Sequence, residues 1–367
     1  SVHAPLLHIK IDRHRIMTRP LTSVAPPSIL PIALSVALAL TWGQAQAQVV
    51  PPTSGGQLLQ QVQPPSTPAP SSNTGLHIEQ PSPGQTASGG ATFEVRRIQV
   101  TGNTLLPSAD IQTIVEPEQG KTLTLAELNE LAARITQLYQ AKGYPLSRAY
   151  VPAQTVQNGV VTIAVLEARY GTLKLDNTSH VDTSVIQATL APIKSGEPIT
   201  ERQLDRSLLL LGVVATSTLR PGERTGTSDL GVDVAAGAPY SGNIGLDNAG
   251  SRFTGRARLA GNFNLNNPLH RGDQLNLSGI TSGRGMNYGR IGYQYLLGGE
   301  GTRLGVAYSA LQYKLLYGGF ESLGAHGTAQ TASLWLNHPV IREVNANLYA
   351  QLGYDHKTLR DAIEING

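Results

Sequence analysis

The chain has 367 residues, 14% of them charged and 40% hydrophobic, with 39 Gly, 23 Pro and no Cys. The missing cysteine excludes a disulfide framework, thiolate-bound zinc or iron–sulfur sites and thiol chemistry; low charge against a usual ~25%, with surplus Gly, disfavours a coiled coil and fits a β-rich chain of about two or three domains. The net charge of +3 resides in the first 47 residues, where Lys10, Arg13, Arg15 and Arg19 are opposed by Asp12 alone; the remainder is formally neutral, which removes the case for a nucleic-acid partner.

Residues 1–16 read as an upstream extension, and Met17 as the natural start. From there Arg19, an apolar run from Ile29 to Leu40 and the small-residue motif Ala45-Gln46-Ala47 follow the order of a secretory signal peptide, cleaved after Ala47. The apolar run spans 12 residues and is interrupted by Pro31 and Ser35. It falls short of the roughly 20 that a membrane-spanning helix needs. Residues 48–92 hold 8 of the 23 prolines and one charged residue, Glu79. Such a stretch cannot bury a core and reads as a linker. Within it, Gly55 to Val62 reads either as one or two helical turns ending before Pro64 or as part of a disordered tether.

Residues 93–235 alternate helix and strand signals. Val95, Ile98 and Val100 predict a strand ending at Gly102-Asn103. Thr124 and Glu127 have the spacing of a capping box, in which hydroxyl and carboxylate satisfy the free N–H groups at a helix start. The helix they open carries Leu128, Leu131, Ile135 and Leu138 on one face and stops near Lys142-Gly143, where Gly suits a left-handed cap. Two β runs follow, Leu146–Val151 and Val160–Leu166, with Asn158-Gly159 as a turn signal between them. A second copy then appears. Gly120, Thr124, Glu127 and Leu128 align with Gly196, Thr200, Gln203 and Leu204 at an offset of 76, and Ile98 and Val100 with Leu173 and Leu175 at 75. Near-equal offsets in strand and helix predict a repeated strand, short helix, longer helix, strand, strand unit.

Residues 236–367 hold 22 of the 39 glycines and 9 of the 13 tyrosines. Apolar stripes alternate with polar ones. Leu259, Gly261, Phe263 and Leu265 oppose Arg258, Asn262 and Asn264; Ile291, Tyr293, Tyr295 and Leu297 form another stripe, as do Leu304, Val306, Tyr308 and Ala310. A membrane barrel needs this pattern, with lipid on one side and water on the other. A soluble antiparallel sheet alternates in the same way; the signal peptide and the Gly- and Tyr-rich composition favour the membrane. Arg252, Arg256, Arg258, Arg284, Arg290 and Arg303 are placed either to line an aqueous lumen or to sit as exposed charges.

No enzyme motif is present: no Gly-x-Ser-x-Gly elbow, no P-loop and no His-Glu-x-x-His pair. Gly283-Arg284-Gly285 lacks the third Gly of a dinucleotide loop. His77, His180, His270, His326, His338 and His356 are scattered and read as loop or surface residues rather than metal ligands. No catalytic residue, cofactor or metal is expected.

Leu138-Tyr139-Gln140-Ala141-Lys142-Gly143-Tyr144, then Ala149-Tyr150-Val151-Pro152-Ala153-Gln154 and Gly159-Val160-Val161-Thr162-Ile163, resemble a POTRA domain of the hemolysin-activator type. Gly245-Leu246-Asp247-Asn248-Ala249-Gly250-Ser251, Gly255, Asn267-Pro268-Leu269 and Gly272-Asp273-Gln274-Leu275 resemble the opening barrel strands of the same family, the outer-membrane transporters of two-partner secretion. The resemblance covers roughly residues 93–367. It implies two α+β POTRA domains, 93–166 and 167–235, followed by the first strands of an antiparallel transmembrane β-barrel in 236–367. By resemblance the barrel lies in the outer membrane of a Gram-negative bacterium, in contact with its lipid, and the POTRA domains stand in the periplasm. Gly55 to Val62, with Leu58, Leu59 and Val62 as its apolar residues, sits where the family's plug helix would be.

The implied partner is a secreted exoprotein, a hemolysin or adhesin, which docks through its N-terminal region and passes the barrel unfolded without nucleotide. Strand addition is the expected docking mode, with Leu146, Ser147, Arg148, Ala149, Tyr150 and Val151 as the candidate edge. Ala168 stands where the family often has Gly. About 130 residues after position 235 accommodate seven or eight membrane strands at ~9–11 residues each, so a fragment with an incomplete barrel is expected. Two other readings remain open from sequence: an outer-membrane assembly factor of the same superfamily, and a soluble periplasmic binding module.

Overall fold

The structure, a computed structural model, describes residues 6–12, 54–62, 71–79, 92–212, 215–317 and 321–364. The predicted signal segment lies outside them. The first described elements are strand β1 (Leu6–Asp12), helix α1 (Gly55–Gln61) and strand β2 (Leu76–Ile78). β1 falls within the stretch expected to be an upstream extension. The linker's helical alternative is the one observed. Ser54 caps α1, its Oγ accepting from the Gln57 N–H at 3.4 Å while the Gln57 side chain accepts from the Ser54 N–H at 3.3 Å.

The first α/β unit comprises β3 (Thr92–Val95), β4 (Arg97–Thr101), α2 (Ser108–Val115), β5 (Lys121–Thr124), α3 (Leu125–Ala141), β6 (Arg148–Tyr150) and β7 (Val160–Leu166). β7 is central, parallel to β4 and antiparallel to β6, while β3 and β5 pair separately. The strand expected from Val95 to Val100 is broken at Arg96, because the amides of Arg96 and Arg97 both donate to the Gly159 carbonyl. Thr124 and Glu127 form the predicted capping box, and Leu128, Leu131, Ile135 and Tyr139 of α3 are buried against Ile98, Val161 and Ile163. Gly143 takes φ 87° just past the helix end, where a side chain would be strained. Asn158 and Gly159, at φ 53° and 72°, make the predicted tight turn, but it closes a single bridge from Gln157 to Val160 rather than joining β6 directly.

The second unit repeats the order: β8 (Arg169–Asn177), α4 (Thr183–Leu190), α5 (Glu201–Leu211), β9 (Ala215–Pro221) and β10 (Thr227–Val234). β10 is central, parallel to β8 and antiparallel to β9, around a separate core containing Tyr170, Ile186, Leu208, Leu219 and Val232. The repeat does not extend to the cap. Thr200 makes no side-chain cap bond, Gln203 donates instead to the Pro192 carbonyl, and the Glu201 N–H of α5 donates to Gly143 O at the end of α3, 2.9 Å away.

The remainder is an antiparallel meander of β11 (Tyr240–Asp247), β12 (Arg258–Asn266), β13 (Gln274–Thr281), β14 (Met286–Leu297), β15 (Thr302–Lys314), β16 (His326–Arg342) and β17 (Asn347–Ala362). β1 pairs antiparallel along β17, giving an eight-stranded sheet whose two edges, β1 and β11, do not pair with each other among the described residues.

Candidate docking edge and helix seat

Of the six residues expected to form a docking edge, Arg148–Tyr150 form the strand. Leu146 packs on the second unit's core, Ser147 is buried with its Oγ accepting from the Ala168 N–H at 3.1 Å, and Val151 packs on the first unit's core. β6 is outermost in its sheet, but the Ala149 N–H donates to the Thr136 hydroxyl of α3 at 2.9 Å. Where β6 ends, the Gln154 side-chain amide takes over its pairing. Its Oε1 accepts from the Thr162 N–H and its Nε2 donates to the Thr162 carbonyl, both at 2.7 Å.

Glu167 joins the two units. Its buried carboxylate accepts from the Thr104 N–H at 2.6 Å, the Leu105 N–H at 2.7 Å, the Tyr139 hydroxyl at 2.9 Å and the Thr104 hydroxyl. Burial alone would raise its pKa; the hydrogen bonds from Thr104, Leu105 and Tyr139 outweigh it and hold the group below the ordinary carboxylate range.

α1 lies on one face of the large sheet. Leu58 and Val62 are buried against Met286, Tyr288, Leu311, Tyr313 and Ala329, and Leu59 packs beside them. Its first amide is gripped by an acid: Asp361 Oδ1 accepts from the Gly55 N–H at 3.2 Å and from the Tyr313 hydroxyl at 2.8 Å. Tyr313 and Asp361 flank Gly327 in register. A Cβ on Gly327 would lie 2.6 Å from Tyr313 Cε1 and 2.5 Å from Asp361 Oδ1, so the glycine makes room for the bond across β16.

The two faces of this sheet separate by chemistry, as strand periodicity requires. Opposite α1 runs the register row Phe263, Leu277, Ile291 and Tyr308, and beside it the row Leu265, Leu275, Tyr293, Val306, Leu334 and Tyr354. The α1 face carries Asn262, Asn264, Asn276, Ser278, Ser309 and Thr331, with Asn276 Nδ2 donating to Asn264 Oδ1 at 2.7 Å. Three of the six arginines singled out in the sequence share this polar face. Arg258 pairs with Asp247 at 2.9 Å, Arg290 lies 5.9 Å from the Trp335 ring centre, and Arg303 donates to Gly272 O. Arg252, Arg256 and Arg284 lie outside the strands, between β11 and β12 and between β13 and β14.

The second unit meets three successive turns at the end of the sheet away from α1. At the β12–β13 turn, Asn267 Nδ2 donates to His180 O at 2.8 Å, the Asp182 N–H donates to His270 O at 2.8 Å, and Arg271 pairs with Asp182 at 3.0 Å. At the β14–β15 turn, Arg206 donates to Glu300 O, 3.2 Å away. Near the β16–β17 turn, Arg206 donates to Pro339 O at 2.8 Å, Arg202 pairs with Glu343 at 3.0 Å, and Asp205 accepts from the Val344 N–H at 3.1 Å. Burial raises the Asp205 pKa against the pull of that amide. Arg342, buried, reaches three parts of the chain: Asn347 Oδ1 in β17 at 2.7 Å, Leu209 O in α5 at 3.4 Å and Ser71 O in the linker at 2.5 Å. Nothing in the composition pointed to this cluster; the Asn267-Pro268-Leu269 and Gly272-Asp273 motifs marked one of its turns.

Two family models match in this order. Residues 93–168 match the POTRA domain, ShlB-type, and residues 226–365 match the haemolysin secretion/activation protein ShlB/FhaC/HecB. Over these two stretches the chain is similar to the haemolysin secretion/activation protein family ShlB/FhaC/HecB. Among curated relatives, the heme/hemopexin transporter protein HuxB of Haemophilus influenzae is 29% identical over 280 residues, 74% of this chain and 49% of the relative. The outer membrane transporter CdiB of Escherichia coli O6:K15:H31 is 26% identical over 298 residues, 77% of this chain and 50% of the relative. The chain spans about half the length of the curated relatives it matches. The solved structure of CdiB from Escherichia coli shares the fold at a TM-score of 0.61 and 23% identity, covering 78% of this chain and 55% of that one. CdiB from Acinetobacter baumannii follows at 0.52 and 20% identity, over 84% of this chain and 60% of that one. The family places the chain in the outer membrane with POTRA structure on the periplasmic side; no described helix is long and apolar enough to cross a membrane.

Proposed function

We propose that the chain is part of a transporter that takes up a secreted exoprotein in the periplasm and passes it unfolded through a β-barrel to the cell surface. The observation that carries this reading is the amphipathic sheet, apolar on one face and, beyond the apolar seat of α1, polar on the other, standing on a second unit that continues a POTRA domain. In this reading the second unit, with the same element order, is a second POTRA domain, the apolar face meets lipid, the polar face lines the pore, and α1 is its plug. Relatives named as transporters of heme/hemopexin and of hemolysin support an exported protein as cargo. An extended segment of that cargo adds to the outer edge of β6, along Arg148–Tyr150, replacing the Thr136–Ala149 bond.

The test uses a photo-cross-linking residue in place of Tyr150, which is exposed on that edge. The purified chain is mixed with the unfolded N-terminal domain of the exoprotein encoded beside its gene. Capture from position 150, and not from Glu116 at the end of α2, is the expected result. Binding without capture from position 150 would move the docking site elsewhere, and no binding would remove the transport reading.

A further inference from the structure

β6 and β9 are equivalent strands. Each is the outermost of its unit and antiparallel to the central one. They end differently at their free sides. A side chain, the Thr136 hydroxyl, meets the free side of β6, whereas a length of backbone covers that of β9. That backbone is β2, lying parallel to β9 with Leu76, His77 and Ile78 beside Ser217, Thr218 and Leu219. The Ser217 N–H donates to Gly75 O at 3.0 Å and the Glu79 N–H to Leu219 O at 2.9 Å. Gly75, at φ 61°, lets the chain pass so close that a Cβ there would stand 2.7 Å from Ala215 O. So the β9 edge accepts an extended chain, and a seven-residue strand is on offer to a three-residue occupant.

The occupant is lightly held. Leu76 packs on the second unit's core, while His77 and Ile78 remain exposed. Its ends are tied by the Glu79–Arg220 pair at 3.1 Å, between two solvent-facing side chains, and by the Arg342 bond to Ser71 O. Exposed pairs of this kind add little. The segment comes from the Pro- and Ser-rich linker, which has no core of its own to keep it in place.

We propose that the outer edge of β9 is a strand-acceptor site for an extended segment of the partner, closed at rest by the linker strand β2 and opened by exchange of one strand for the other. This rests on the reading of the chain as a receiver of unfolded cargo. Recognition would be by backbone pairing, with one apolar side chain taking the place of Leu76, and so tolerant of sequence.

His77 and Thr218 are register partners on the solvent side of this pairing, and the chain contains no cysteine of its own. The full chain carrying His77→Cys and Thr218→Cys, in detergent, therefore has β2 locked when oxidised and free when reduced. The probe is a fluorescent peptide reproducing residues 73–80, followed by anisotropy. We expect binding to the reduced chain and a loss of about tenfold or more on oxidation, since the lock removes exchange with an intramolecular competitor. His77→Pro, which deletes the central amide of β2, should bind the peptide more tightly than the unaltered chain. Equal binding in both redox states would place the peptide elsewhere. Absence of binding both to the reduced pair and to His77→Pro would show that the edge accepts no strand but its own. The probe is a peptide and not the exoprotein, so this result and the cross-linking from position 150 fail separately.

Discussion

Glu167 shows what a single side chain contributes at the seam between the two units. It follows directly on β7, and its four hydrogen bonds tie the loop after β4 and the end of α3 to the chain that enters β8. Because the folded group titrates below its ordinary value, the unfolded state takes up the proton first. The stability it supplies is therefore present above the unfolded pKa and lost as pH falls through the folded one. Glu167→Gln should cost residues 92–235 about 2 kcal/mol at pH 7, the scale of hydrogen bonds to a charged group. The difference between variant and parent should close as pH is taken below about 4. Urea denaturation across that pH range measures it; a loss that stays constant with pH would show that shape rather than charge matters at this position. The same scale explains a motif residue. Gln154, part of the stretch that resembles the POTRA family, stands in for a strand beside Thr162.

At the scale of elements, the seat of α1 rests on a glycine in a neighbouring strand. Gly327→Ala would drive a Cβ into the Tyr313–Asp361 contact, and overpacking of this kind costs about 1–3 kcal/mol. The Leu58 and Val62 amides, bonded to Ser54 O and Leu58 O, should lose about tenfold or more of their hydrogen-exchange protection. Unchanged protection would mean that α1 is held by its apolar side chains alone. Elements whose signals are local were legible in the sequence: the Thr124–Glu127 box, the Gly143 stop and the β run Val160–Leu166 all stand where the sequence put them. Elements that depend on a distant partner were not. The break at Arg96 is made by Gly159, the start of α5 is satisfied by Gly143 in place of the Thr200 cap, and β2 exists because β9 offers an edge.

For the whole molecule the decisive quantity is the division of the large sheet into two faces. Leu277 sits mid-strand on the apolar face and Asn276 beside it on the polar one. If lipid covers the first, Leu277→Arg should cost about 2–4 kcal/mol of folding into lipid vesicles, and Asn276→Arg far less. Folded fraction, read from heat-dependent gel mobility, decides it; equal losses would place both faces in water. This alternation was readable from the sequence, strand by strand. The stacking of the second unit on three turns was not, since it is built from carbonyls and short loops that carry no periodic signal.

Arg342 gives that stack an asymmetry. All three of its hydrogen-bond partners are neutral oxygens, one each from linker, second unit and sheet. Withdrawal of the linker in strand exchange would therefore strand no opposite charge in the interior. If strand exchange withdraws the linker, the bonds to Leu209 O and Asn347 Oδ1 still join the second unit to the sheet.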